Sequence, residues 1–188
     1  AGVRKTSRLL RIVLFDPQSG ASRQYAYVLE DMTTAVSEIA ALSERSFIVI
    51  ERDGLFQGDA KAPAKLKRIY KIDLTQATDI SDAADGAQGR LINGKTLEQL
   101  SAAELQDAGI TPVAKELVTD LLALPGGFPH DKAEGLAVIN ERLIAVSNDD
   151  NFGIVPDGNG GIAPKRLPGA NNAVDSNRIY FIRLEKPL

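Results

Sequence analysis

The chain contains no cysteine and only one histidine among its 188 residues. The absence of cysteine excludes disulfide bonds, cysteine-ligated zinc and a thiol nucleophile, and a single histidine excludes a metal site built from several imidazoles. No run of about 18 apolar residues is present, so the sequence predicts no membrane-spanning helix. A net charge of −3 and one short basic run, 61–68, that has the composition of a solvated loop predict no nucleic-acid partner.

The motifs of several common enzyme chemistries are also absent. The sequence has no GxSxG nucleophile elbow, no P-loop and no GxGxxG fingerprint. The lone histidine, His130, lies in the loop FPHDKAEG, which predicts a surface residue rather than a catalyst. The chain begins with Ala1 rather than Met, which predicts a processed product or a fragment of a longer protein.

Short runs of residues that favour β-strands dominate the sequence. They are separated by Gly, Asp, Asn and Ser turns, which predicts a mostly β fold of antiparallel strands in a sandwich, barrel or propeller. The predicted strands are 9–15, 23–29, 36–42, 47–51, 66–74, 133–139, 142–147 and 178–184. A capping box from Ser101 to Glu104 predicts a short helical insertion at 94–110 within a single domain spanning 1–188.

Two segments share one layout. VSEIAALSERSFIVIERD (36–53) and AEGLAVINERLIAVSNDD (133–150) each carry a glutamate at the start of an apolar strand, Glu38 in the first and Glu134 in the second. A turn, a second apolar strand and a polar tip follow in both. Because an unpaired charge on a buried strand is costly, both glutamates need a cationic partner: an Arg or Lys side chain, or a metal ion.

The second polar tip reads Asn148-Asp149-Asp150-Asn151. Its carboxylate and amide oxygens are the ligands that Ca²⁺ prefers, but Gly160 stands where an EF-hand loop needs its bidentate glutamate. If the strand continues through the tip, Asn148 and Asp150 face one side of the sheet. Asp149 and Asn151 then face the other, so the four residues cannot all bind one ion. A metal site and a capped turn both remain open.

The series VSEIAAL, IVIERD, KRIYKIDLTQATDIS, PVAKELVTDL, KAEGLAVI, LIAVSNDDNFG and RIYFIRL resembles the phytase-like family, β-propeller proteins described by the esterase-like activity of phytase. The resemblance covers residues 9–184 and implies antiparallel propeller blades. It also implies that residues 112–124 form a strand, although their periodicity fits a helix slightly better. Family members are usually longer, which implies the C-terminal part of an incomplete propeller. The N-terminal remainder or a second chain would then cover its exposed strand edges.

The resemblance further implies a metal-assisted hydrolase of phosphate or carboxylate esters with a small anionic substrate, in the periplasm or secreted. Related calcium-dependent propellers surround a metal with Glu, Asn and Asp side chains. The metal ligands implied here, with Ca²⁺ as the ion, are Glu38, Glu134, Asn148, Asp149 and Asp150. The two glutamates are also the implied catalytic residues.

Substrate binding is expected from Arg52, Lys67 and Lys132. The chain has no dense set of cations of the kind that a hexaphosphate needs, so phytate is not the expected substrate. Two other functions stay open, because one propeller scaffold serves many activities. They are a non-catalytic propeller that binds a ligand or partner through its rim, and a lactonase-type hydrolase.

Overall fold

The structure is a computed structural model that describes residues 7–81, 89 and 91–188. The strands of this part of the chain, in order, are β1 (Leu9–Phe15), β2 (Ser22–Val28), β3 (Ala35–Ala41), β4 (Ser46–Arg52), β5 (Lys67–Asp73), β6 (Leu91–Ile92), β7 (Lys95–Thr96), β8 (Ala114–Asp120), β9 (Ala133–Asn140), β10 (Leu143–Asn148), β11 (Ile154–Pro156), β12 (Ile162–Pro164), β13 (Arg166–Leu167), β14 (Ala173–Val174) and β15 (Ile179–Arg183). The helices are α1 (Ala102–Asp107) and the short 3-10 turns Leu97–Gln99, Leu121–Ala123 and Asn151–Gly153.

The chain divides into two compact units. Unit 1 comprises Ala1–Thr33 and Ile72–Lys115, and unit 2 comprises Thr34–Lys71 and Glu116–Leu188. Among the described residues, no helix is long and apolar enough to cross a membrane.

Unit 1 contains the predicted β1–β2 hairpin and the predicted helix. The hairpin is antiparallel, with Leu9 opposite Val28. The capping box that begins α1 is confirmed, because the Ser101 hydroxyl accepts a hydrogen bond from the backbone N–H of Glu104 and the Glu104 carboxylate accepts one from Ser101. Gly109, with φ of 69°, follows the helix. The core of this unit consists of Leu9, Ala26, Ile80, Leu97, Leu105 and Ile110.

Unit 2 is built on two antiparallel sheets. One has the strand order β3-β4-β5-β8, and the other has the order β9-β10-β15. β8 confirms that residues 114–120 form a strand rather than a helix. Apolar side chains from both sheets and from the segments that flank them share one core: Ile48, Ile50, Ile69, Leu121, Phe128, Ala133, Ile144, Val146, Ile182 and Leu184. The prediction of a mostly β, antiparallel fold is confirmed, and the sheets in the described part of the chain do not close into a barrel.

An irregularity in β3 brings the two sheets of unit 2 together. The register of β3 against β4 shifts between Val36 and Glu38, so Ser37 is an extra residue in the strand. Such a bulge changes the direction of a side chain. The Ser37 hydroxyl donates a hydrogen bond of 2.6 Å to the carbonyl of Ala133, the first residue of β9. The starts of β3 and β9 therefore lie side by side.

Candidate functional site

Several strands of unit 2 begin or end at the same place. The register pairs Asn148, the last residue of β10, with Ala133, the first residue of β9. It also pairs Ser147 with Ile179, the first residue of β15. The ends of these strands carry the polar groups that the sequence places at strand tips. We call this region the polar end and define it as Arg52, Lys132, Glu134 and residues 148–151.

Arg52 and Glu134 form an ion pair at the polar end. Arg52 is the last residue of β4, and its guanidinium donates to the carboxylate of Glu134 near the start of β9. The two side chains are 14% and 33% exposed, so solvent reaches both. Glu38 is half-buried on the neighbouring strand β3, where its carboxylate accepts a hydrogen bond of 2.9 Å from the backbone N–H of Ile39.

Lys132 is the second partly exposed cation of the polar end. Its ammonium donates to the side-chain oxygen of Asn151 at 2.7 Å and lies 3.4 Å from the Asp149 carboxylate. A hydrogen bond from the backbone N–H of Asn151, together with Lys132, lowers the pKa of Asp149 below its ordinary value. Asp149 and Asn151 thus face one side, as the alternation predicts, and share one cation.

Asn148 points into the protein instead. It is 5% exposed. Its side-chain oxygen accepts from the backbone N–H of Arg178 at 2.8 Å, and its amide donates to the carbonyl of Ser176 at 3.2 Å. Asp150 lies in the turn, where its backbone N–H donates to the side chain of Asn177 and its carbonyl accepts from Gly153. These residues therefore hold the turn after β10 against the chain that leads into β15.

A line of alternating charges lies beneath the polar end. The fully buried ammonium of Lys67 lies 3.3 Å from the Asp53 carboxylate and donates to the backbone carbonyl of Asp131 at 2.7 Å. The ammonium of Lys165, 3% exposed, lies 2.7 Å from the Asp131 carboxylate and 3.1 Å from that of Asp175. Lys67, expected at the surface as a substrate ligand, is thus enclosed by protein acceptors.

The protein environment lowers the pKa of one buried lysine, Lys67, and raises the pKa of the other, Lys165. Burial is the largest influence on Lys67, and it lowers the pKa of that ammonium to about 8 although Asp53 opposes the shift. Burial also acts against the charge of Lys165, but hydrogen bonds to Asp131 and Asp175 outweigh it and raise the Lys165 pKa above its ordinary value. Two carboxylates around one ammonium therefore hold Lys165 charged more firmly than Lys67.

The line of charges ends at the only histidine. His130 is completely buried, so the expectation of a surface residue is wrong. Its Nδ1 lies 2.6 Å from the Asp175 carboxylate and its Nε2 lies 2.7 Å from the Tyr180 hydroxyl. Its ring also makes an edge contact with Phe128, with the centroids 5.1 Å apart. Burial lowers the pKa of His130, despite the nearby carboxylate.

The residues expected to bind a metal do not converge in this arrangement. In the part of the chain that the structure describes, no group of three or more His, Cys, Asp or Glu residues is placed to hold an ion. Glu134 and Asp149 already face Arg52 and Lys132, and Asn148 faces the protein interior. Three of the five donors expected for Ca²⁺, Glu134, Asn148 and Asp149, are therefore already bound to protein groups.

A family model matches most of the chain. The model is described as phytase-like, esterase-like activity of phytase, and it covers residues 1–152. The chain belongs to this family. No curated protein and no solved structure matches it. The phytase-like match includes Arg52, Lys132 and Glu134, whereas Lys165, Asp175 and Tyr180 lie beyond its last residue.

Sequence reasoning missed most of the buried groups of this phytase-like chain. Asp53 was visible as the end of a polar tip, and Asp131 was visible beside His130. Lys165 and Asp175 lie in irregular segments without a motif. Tyr180 lies in the predicted last strand, where an aromatic residue is ordinary. Only the folded register brings these residues to one place.

Proposed function

We propose that the polar end of unit 2 is the site of an ester hydrolase that acts on phosphate or carboxylate esters. The observation that carries the proposal is the pair of partly exposed cations, Arg52 and Lys132, at the strand ends of a chain that belongs to the phytase-like family. An anionic ester needs cations of this kind for binding and for stabilising the charge that develops in the transition state.

Propeller blades are the architecture we propose for unit 2. In each of its two sheets the strands follow one another in chain order, with insertions only between β5 and β8 and between β10 and β15. The first strands of the two sheets, β3 and β9, lie side by side. Successive antiparallel sheets whose first strands meet are typical of blades around an axis. A chain or segment that covers the outer strand edges, and a periplasmic or secreted location, stay predictions.

The proposed roles follow from exposure. Arg52 and Lys132 bind the anionic oxygens of the substrate. Glu134, a third exposed, and Glu38, half-buried on the next strand, are the carboxylates proposed to orient the attacking water by accepting a hydrogen bond from it. Lys67 is fully buried, and we therefore propose that it supports the polar end from beneath rather than touching the substrate.

The expected Ca²⁺ site is the part of the proposed function that the geometry of these residues supports least. An ion at Glu134 or Asp149 has to displace Arg52 or Lys132 from the carboxylate, and Asn148 is occupied by backbone groups. We therefore derive no step through a metal. A thermal shift of the chain by millimolar Ca²⁺, abolished by a chelator, would show that such displacement takes place.

The alternative function is a non-catalytic module that binds an anionic partner through the same cations. The ion pairs Arg52–Glu134 and Lys132–Asp149 support it, because carboxylates that are paired with side-chain cations are less available to an attacking water. Both functions use the same surface, but only one of them turns over a substrate.

A panel of aryl phosphate and aryl carboxylate esters, with and without Ca²⁺ and chelator, tests the proposal. We expect the wild-type chain to hydrolyse at least one ester, and Arg52→Ala and Lys132→Met to raise KM. The matched controls are Arg45→Ala and Lys186→Met, exposed cations located at the other end of their sheets. Turnover of no ester, together with protection of the chain by inorganic phosphate against unfolding, would favour the binding module.

A further inference from the structure

Three side chains in unit 2 form a hydrogen-bonded row that no expectation from the sequence included. Asp175 lies 2.6 Å from Nδ1 of His130, and the Tyr180 hydroxyl lies 2.7 Å from Nε2 of the same ring. Asp175 and His130 are 1% and 0% exposed, whereas Tyr180 is only partly buried. Of the three, only Tyr180 can meet a molecule that arrives from solvent.

The surroundings determine where the protons lie. Asp175 lies 3.1 Å from the Lys165 ammonium, with which it forms an ion pair. A carboxylate can only accept, so Nδ1 of His130 carries the hydrogen that it donates to Asp175. Because burial lowers the pKa of the ring, Nε2 carries no hydrogen and accepts a hydrogen bond from the Tyr180 hydroxyl. The row therefore has one direction: Tyr180 donates to His130, and His130 donates to Asp175.

The row reaches the polar end. Tyr180 is the second residue of β15, whose first residue pairs with Ser147 next to the end of β10. His130 precedes Lys132 by two positions, and Asn148 lies 3.4 Å from the Asp175 carboxylate. Tyr180 thus lies at the same set of strand ends as the proposed substrate-binding cations.

We propose that Tyr180 is a catalytic residue of this site and that His130 and Asp175 form with it a relay that takes a proton from the attacking water. The proposal rests on the proposed ester hydrolysis and adds the base that this reaction needs. Unlike the Glu134 carboxylate, which is paired with Arg52, Nε2 of His130 faces the neutral hydroxyl of Tyr180 and can gain a proton from it.

The step is balanced as follows. The water oxygen forms a bond to the phosphorus or carbonyl carbon of the ester, and the water proton passes to the Tyr180 oxygen. The hydroxyl proton of Tyr180 passes to Nε2 of His130, and Asp175 stabilises the resulting imidazolium. As the bond to the leaving alkoxide breaks, the imidazolium returns a proton along the same path to that alkoxide. Burial raises the pKa of Tyr180, so the tyrosine passes the proton on rather than ionising by itself.

Kinetics of the full chain test the catalytic role. In Tyr180→Phe the ring stays and the hydroxyl is lost, so we expect kcat on a hydrolysed ester to fall about 10²- to 10⁴-fold while KM is unchanged. Asp175→Asn disturbs the tautomer of His130 and should lower kcat while moving the acidic limb of the pH profile. The control is Tyr70→Phe, a buried tyrosine of the same unit whose hydroxyl accepts from Arg68. It should leave kcat unchanged.

The single histidine offers a readout that needs no activity. In the ¹⁵N-labelled chain at pH 7, His130 should show one protonated nitrogen, Nδ1, and the Nε2 resonance should move in Tyr180→Phe. A doubly protonated ring or an Nε2–H tautomer would overturn the relay. If the wild type hydrolyses an ester and Tyr180→Phe is equally active, the relay is overturned but the proposed function stands. If the wild type hydrolyses no ester, the relay and the proposed function are both overturned.

Discussion

The buried ammonium of Lys67 makes the stability of unit 2 depend on pH. Its pKa is lowered to about 8 in the folded protein, against 10.5 for an unperturbed lysine. Between these two values the unfolded chain binds a proton that the folded chain does not, so the free energy of unfolding rises with pH. Each pKa unit corresponds to about 1.4 kcal/mol, so the full effect is about 3 kcal/mol.

Two other groups limit the useful pH range. The pKa values of Lys165 and Tyr180 are both raised in the folded protein. A raised pKa gives stability that is lost as the pH climbs past the unfolded value, which is 10.5 for the lysine and 10.0 for the tyrosine. Measurements from pH 7.5 to pH 9.5 stay below both values, and in this range Lys67 makes the free energy of unfolding depend on pH.

Urea denaturation at constant ionic strength, at pH 7.5, 8.5 and 9.5, is the assay. We expect the wild-type free energy of unfolding to increase by about 1 to 2 kcal/mol over this interval, and the Lys67→Met variant to show no increase. The variant can fold because the Asp53 carboxylate keeps hydrogen bonds from the backbone N–H groups of Leu55, Lys65 and Leu66. Parallel pH curves for wild type and variant would refute the reasoning, since Lys67 would then titrate alike in both states.

Two further predictions concern the scaffold. Ser101→Ala removes the side-chain acceptor at the start of α1 and should lower the free energy of unfolding in urea by about 1 kcal/mol. Ser101→Asp, which keeps an acceptor, should retain most of the wild-type stability. Equal stability of Ser101→Ala and wild type would contradict the cap. Gly135→Ala places a methyl group against the Ser147 hydroxyl oxygen on β10 and should lower the unfolding free energy by about 1 to 3 kcal/mol. Adding Ser147→Ala should recover stability, and a double variant no better than the single one would show that the clash lies elsewhere.

Most strands were predictable from the sequence because two signals agree along them: a run of apolar residues, and turn residues at both ends of that run. In β4 and β10 apolar residues run between turn residues, and the structure has strands at Ser46–Arg52 and Leu143–Asn148, within one residue of the predicted bounds at each end. The short strands β11 to β14 were missed, because pairs and triplets of residues carry no periodicity. The predicted strand at residues 112–124 is shorter in the structure, since it ends at Asp120, whose side chain accepts from the backbone N–H of Leu122.

The candidate site was predictable only at its surface. Arg52, Glu134 and the tip at 148–151 lie at predicted strand ends, where polar residues stand out against apolar runs. The buried groups beneath give no such signal, because their partners are distant in the chain: Lys67 and Asp131 are 64 residues apart, and His130 and Asp175 are 45 apart. A lone histidine in a proline-containing loop has the composition of a surface residue, and only its partners in the fold explain its burial.

The partly exposed cations of the polar end and the buried cations beneath it differ in how firmly they are held. The inner cations, Lys67 and Lys165, are buried. Removing the Asp53 carboxylate would leave the charge of Lys67 unpaired at a cost of about 3 to 5 kcal/mol, whereas Lys165 would keep one carboxylate if either Asp131 or Asp175 were removed. The two lysines therefore hold the loop around Asp131 in one position, and with it the adjacent Lys132.

The outer cations are held less firmly. Arg52 and Lys132 are each paired with a partly exposed carboxylate, and pairs of this kind are typically worth about 1 kcal/mol or less. An incoming anion has to compete with Glu134 and Asp149 for them, and that competition is inexpensive because water can hydrate the released carboxylates. When Glu134 is released from Arg52, its oxygens become available to accept a hydrogen bond from the attacking water. Substrate binding at the cations and orientation of the water would then be one event, whereas Tyr180 and His130 are already aligned before any substrate arrives.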